Sequence, residues 1–103
     1  MAVILVHQGS GLTQEMYEAA VRRITGGKER AESPSDWPVE GLLVHAAGQG
    51  PNGFRVVDVW ESEEAARQFG ETIAPIMQEL NIPVEPELYP AHTLVTAHTL
   101  VTA

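Results

Sequence analysis

The residues of this 103-residue chain best suited to proton chemistry are four histidines, at positions 7, 45, 92 and 98, and Asp58. A neutral imidazole, with an ordinary pKa of about 6.5, can take a proton from an acidic carbon or a phenol near neutral pH. A carboxylate beside it holds one tautomer and raises its basicity. Tyr17 and Tyr89 can donate to a developing oxyanion. Trp37, Phe54 and Trp60 offer flat faces to a planar molecule, or simply fill a core. Other chemistries lack their residues. The chain has no cysteine, so it has no thiolate nucleophile, thiolate metal ligand or disulfide. The histidines form no H-x-H or HExxH pair, so no metal site is expected. The glycine-rich stretch 48–53 leads into a strand rather than a helix, and so lacks the geometry of a phosphate cradle.

The elements that must position these groups follow from bulk properties and patterning. A chain of this length has room for one domain, with a modest core that self-association would enlarge. Apolar residues make up 44% of it, which argues against disorder. Its net charge of −8, from 14 acidic and 6 basic residues, disfavours nucleic acid and anionic membranes as partners. No apolar run approaches the roughly 18 residues of a membrane span. The apolar start at 2–6 is short and lacks a basic flank, so it reads as a strand rather than a signal peptide, and a cytoplasmic location is expected.

Residues 2–7 form a continuous apolar, β-branched run, the mark of a buried strand. Thr13 can cap a helix whose stripe is Met16, Tyr17, Ala20, Val21 and Ile24, ended by Gly26 and Gly27. Residues 25–38 form one long polar connection, a candidate binding loop or a plain connector. Its Trp37 is expected to pack onto the core edge or a partner. Residues 39–47 and 54–61 form a hairpin across the turn signal 48–53. Ser62 caps a second helix with the stripe Ala66, Phe69, Ile73, Ile76, Met77 and Leu80, in which Pro75 predicts a kink or break. Asn81 is a left-handed cap, and Pro83 a stop. Residues 84–103 read as an edge strand, because Pro86 and Pro90 fall inside it. Its end repeats itself: HTLVTA at 92–97 recurs at 98–103. The domain is therefore placed at 1–97 and the duplicated tail at 98–103.

Strand, helix, strand, strand, helix, strand is the α+β, ferredoxin-like βαββαβ plan. Both helices should cover one sheet face. The apolar second face calls for another copy, giving a two-fold homodimer with an enclosed cavity. The stretches GLLVHAAG at 41–48 and FRVVDVWESEEA at 54–65 resemble the dimeric α/β-barrel superfamily, in its antibiotic-biosynthesis-monooxygenase-like branch, and the resemblance covers residues 1–97. It implies that Trp60 lines the cavity, with Phe54 and Asp58 on the same strand face. It also implies that His7 faces the cavity, where it can meet Asp58. A histidine at position 45 is typical of the branch and ranks with His7.

The resemblance also removes one activity. Members that degrade heme carry an iron-ligating histidine on the second helix, and residues 63–80 contain none. Three readings stay open. The first is a cofactor-independent monooxygenase on an aromatic or polyketide-like substrate, or a cyclase or isomerase in the same pocket. There His7, His45 and Asp58 are the catalytic candidates, and Phe54, Trp60, His92, Tyr17 and Trp37 the substrate-binding ones. His92 is expected at the cavity mouth. The second is a non-catalytic dimer that binds a small ligand, and the third a structural subunit with a filled interior.

Overall fold

The computed structural model describes residues 1–9, 11–27, 32–82 and 85–96. The elements are β1 (Val3–Gln8), α1 (Gln14–Ile24), a 3₁₀ turn (Pro34–Asp36), β2 (Leu42–Gly50), β3 (Gly53–Trp60), α2 (Glu63–Glu79) and β4 (Glu85–Pro90). The sheet has the order β2-β3-β1-β4, with every neighbouring pair antiparallel. This is the expected ferredoxin-like arrangement.

The helix ends form for local reasons. Thr13 accepts a hydrogen bond from the Met16 N–H at 3.2 Å, and Ser62 accepts one from the Ala65 N–H at 3.1 Å. Each satisfies a donor that the first turn leaves orphaned. Helix α1 ends at Gly26, with φ of 76°, and the Gly27 N–H donates back to the Arg22 carbonyl at 2.7 Å. Helix α2 ends on Asn81, with φ of 57°, as expected. The Asn81 and Ile82 N–H groups donate to the carbonyls of Gln78 and Met77. This Schellman turn folds Ile82 back over Met77. The kink or break expected at Pro75 does not interrupt the helix, which continues to Glu79. Pro75 is exposed, so the Glu71 carbonyl left without a donor faces water.

Three strand boundaries differ from expectation. Strand β2 starts at Leu42 rather than 39, because Gly41, with φ of 111°, turns the chain and its carbonyl accepts the Glu61 N–H at 2.8 Å. The hairpin turn shrinks to Pro51-Asn52, since Gly48, Gln49 and Gly50 pair with Arg55, Phe54 and Gly53. Strand β4 ends at Pro90, with Ala91 still donating to the Ala2 carbonyl. Pro86 and Pro90 have the opposite parity to Ala91, so their missing N–H groups fall on the side away from β1. Residues 92–96 are not strand. The duplicated 98–103 lies outside the described residues.

Val3 and Leu5 of β1 pack with Trp60 of β3 and with Ala65, Ala66, Phe69 and Ile73 of α2. Phe54 and Val56 pack with Leu12 and Ala20 at the α1 end. Both helices thus cover one face. The other carries buried Val6 and Val59 and half-buried Ile4, Val44 and Val57.

Gly41 is the tightest backbone position. A Cβ there would lie 2.9 Å from the Ala65 Cβ, in a conformation that only glycine adopts freely. Gly41→Ala is therefore expected to destabilise the fold by about 2 kcal/mol, lowering the thermal midpoint by roughly 10 °C. Gly48→Ala, whose Cβ meets nothing within 4 Å, should shift it by no more than a few degrees. Thermal unfolding of the two variants checks both.

Candidate active site

The buried Asp58 organises the site. It lies at the centre of β3, 1% exposed, facing the helices. A carboxylate so placed needs a hydrogen-bonded partner. The partner is His45 on the neighbouring β2, whose Nδ1 lies 2.6 Å from Asp58 Oδ1. The two are direct cross-strand partners. That pairing depends on a β-bulge. Leu42 pairs with Trp60, but Val44 pairs with Val59, so Leu43 is inserted without a partner. In an unbroken ladder Leu42 and Val44 would share a face, and Val44 would meet Asp58. The inserted residue shifts the phase and aims His45 inward instead.

Tyr17 continues the chain of bonds. It stands in the second turn of α1, and its hydroxyl lies 2.5 Å from His45 Nε2. Burial, with the Asp58 charge adding to it, pushes the Tyr17 pKa up to about 12. The phenol thus keeps its proton at neutral pH and can donate to Nε2. An ionised Asp58 can only accept. The two contacts together select the His45 tautomer that carries its proton on Nδ1 and donates it to Asp58. Trp37 closes the other side, with its ring centroid 4.6 Å from that of His45. It is held there by the 3₁₀ turn, whose Asp36 carboxylate accepts from the N–H groups of Glu32 and Ser33.

These groups line a cavity of about 50 Å³ between sheet and helices, walled elsewhere by apolar side chains such as Val21, Ile24, Val56 and Phe69. It is formed within one chain. The expectation that a second copy encloses it fails, because the face that carries His7 and Asp58 is the one that α1 and α2 cover.

His7 also lines the cavity and is 8% exposed. It pairs across the sheet with Val56, whereas Asp58 lies opposite Leu5. The hydrogen bond to Asp58 therefore comes from His45 and not from His7. Burial lowers the His7 pKa, with Asp58 opposing and His45 adding to the effect.

Three other expected cavity residues lie elsewhere. Trp60 is fully buried against Phe69, and its Nε1 has no hydrogen-bond partner among the described residues. It sits at the far end of β3, beneath the start of α2. Phe54 is likewise core, and touches Tyr17 from behind at 5.1 Å between ring centroids. His92 is exposed beyond the end of β4, away from the cavity. Tyr17, a member of the core stripe of α1 and also a substrate-binding candidate, lines the cavity. The only local sign of its other role is a phenol in a stripe otherwise made of Met, Ala, Val and Ile. The closing residues Ile82 and Met77 were not singled out for the cavity.

No protein-family model and no curated protein matches the sequence. Solved structures do match in shape. SnoaB, a cofactor-independent oxygenase from Streptomyces nogalater, superposes with a TM-score of 0.58 at 13% identity, over 91% of this chain and 96% of that one. A protein of Shewanella loihica, provisionally named a monooxygenase, superposes with a TM-score of 0.52 at 18% identity, over 90% of this chain and 96% of that one. At such identities the likeness is one of fold, and the chain shares the overall fold of these two structures.

Proposed function

We propose that the chain is a cofactor-independent monooxygenase acting on an aromatic or polyketide-like molecule. The observation that carries this reading is the hydrogen-bonded series Asp58–His45–Tyr17 inside a largely apolar cavity. The fold shared with an oxygenase of that kind supports it. His45 Nε2 is the base, and Tyr17 is the group a substrate hydroxyl displaces from it. The substrate proton passes to Nε2, and Asp58 stabilises the imidazolium that results. The displaced Tyr17 hydroxyl donates to the new oxyanion, which its raised pKa suits it to do. The electron-rich anion is then oxidised by O₂ directly. A carbon–oxygen bond forms at a ring carbon that bears hydrogen, the His45 imidazolium returns its proton to the peroxide anion, and the hydroperoxide loses water with that carbon's hydrogen to leave a carbonyl. His7, kept neutral by burial, is a further polar contact for the substrate. A second copy covers the outer sheet face, where the apolar Ile4, Val44 and Val57 are only half-buried in the single chain, and this supports a homodimer.

Oxygen uptake with a panel of electron-rich phenols tests the chemistry. With a substrate that turns over, His45→Gln and Asp58→Asn should each lower kcat by about 10²–10⁴-fold. Tyr17→Phe should lower it by about 10²-fold. Unchanged turnover in the His45 and Asp58 variants would remove the proposed base. Consumption of substrate without oxygen would replace oxygenation by cyclisation or isomerisation.

Two further outcomes are expected. At micromolar concentration the chain should show twice its monomer mass by light scattering, and a strict monomer would exclude the homodimer. Stability should also depend on His7. Below its ordinary pKa of about 6.5 the unfolded chain takes up a proton that the folded one refuses. The contribution of neutral His7 is therefore complete above that pH and shrinks as the pH falls toward the lower folded value. Denaturant unfolding at about pH 7.5 and 5.5 should show this loss, and His7→Phe should reduce it.

A further inference from the structure

Helix α2 packs over β1 and β3 and leaves the helix-side face of β4 uncovered. An open groove of about 670 Å³ results. Its β4 wall is Pro86 and Leu88, the latter 43% exposed. Its α2 wall is Ala66, Gly70 and Ala74, spaced four residues apart along one side of the helix. Small side chains at these positions keep the groove open. Gln78 and Asn81 give it one polar end.

The groove adjoins the cavity across a shared wall. His7, Ile73, Met77 and Ile82 line both. His7 is 8% exposed as a residue, and no hydrogen bond to its ring is found among the described residues. It is thus a polar group without a protein partner, at the junction of an apolar cavity and a groove. The cavity of about 50 Å³ is far below the roughly 300–1,000 Å³ of sites for drug-sized molecules, whereas the groove falls within that range. The thin wall contains Met77, an unbranched side chain that changes rotamer readily.

We propose that the α2–β4 groove is the outer half of the substrate site. It holds the apolar remainder of an elongated, multi-ring molecule whose reacting ring enters the cavity past Met77, and His7 hydrogen-bonds an oxygen of the molecule at the junction. Gly70 and Ala74 then set the length and width of substrate accepted. The inference rests on the proposed function for the position of the reacting ring, but its test reads binding alone.

The test compares affinities for two probes, 1,8-dihydroxyanthraquinone and phenol, by quenching of tryptophan fluorescence, since Trp37 lines the cavity. A Cβ at Gly70 meets nothing within 4 Å, so Gly70→Leu fills the groove without a clash at its first atom. Leucine also favours the helix over glycine. Ala74→Leu is the second variant, and thermal unfolding verifies that both are folded. The three-ring probe should bind each variant at least tenfold more weakly than wild type, and phenol within about threefold. His7→Phe alone should also weaken binding of the three-ring probe. Equal losses for both probes, no loss for the three-ring probe, or no binding of either probe to the wild-type chain overturns the proposal. So does a change in oligomeric mass in the Gly70 variant with probe affinity intact, which would assign the groove to a second copy. Tight, groove-dependent binding without oxygen uptake would retain the groove and reject oxygenation.

Discussion

One buried carboxylate constrains much of this molecule. Asp58 sits at the centre of a central strand, beneath two helices, where an unpaired charge is strongly unfavourable. Its requirement for a partner is met by His45, 2.6 Å away on the adjacent strand. The partner in turn needs its second nitrogen occupied, and Tyr17 reaches it from α1. A single polar series therefore links two strands and a helix across an interior that is otherwise apolar. Removing one member leaves the next unsatisfied, so the site and the fold are coupled energetically.

The surrounding architecture serves this series in two ways. Apolar walls from α1, α2 and β3 limit the access of water to the imidazole, which strengthens its interaction with the carboxylate. The Schellman turn at Asn81 brings Ile82 back over Met77 and closes one end of the cavity. The 3₁₀ turn before β2 brings Trp37 against the other side of His45. The connection between α1 and β2, long and polar in sequence, thus contributes one buried aromatic to the site, with Thr25 also lining the cavity and Val39 packed against the core. The cavity is small because these closures are tight, and the neighbouring groove is large because β4 lies beyond the reach of α2.

Much of the fold is legible in the residues. The β-branched run at 2–7, the helical stripes behind Thr13 and Ser62, and the turn residues Gly26, Gly27 and Asn81 each act through local backbone chemistry. They specify their elements without knowledge of distant neighbours. The same locality explains the errors. Pro75 reads as a kink or a break, yet the helix runs on through it, because it falls on the solvent side of α2, where water can satisfy the freed carbonyl. Gly48 and Gly50 read as turn, yet cross-strand pairing with Arg55 and Gly53 extends the strands through them. Trp60 and Phe54 share a strand face with Asp58, as alternation requires, but a shared face is longer than a cavity, and the helices fill both its ends.

By itself, then, the sequence determined the order and type of the elements, the acidic surface, the absence of thiol chemistry and the short list of histidines and aspartate from which a base must come. These depend on composition and on periods of two and 3.6 residues. Tertiary structure alone decided which histidine meets the carboxylate. The choice turns on one inserted residue, Leu43, which reverses the phase of β2 and sets His45 opposite Asp58 while His7 faces Val56. It also decided that Tyr17 completes the series and that the cavity belongs to one chain, because only helix packing fixes which sheet face is covered. A bulge and a packing direction are properties of paired elements, and no local pattern in a single strand encodes them.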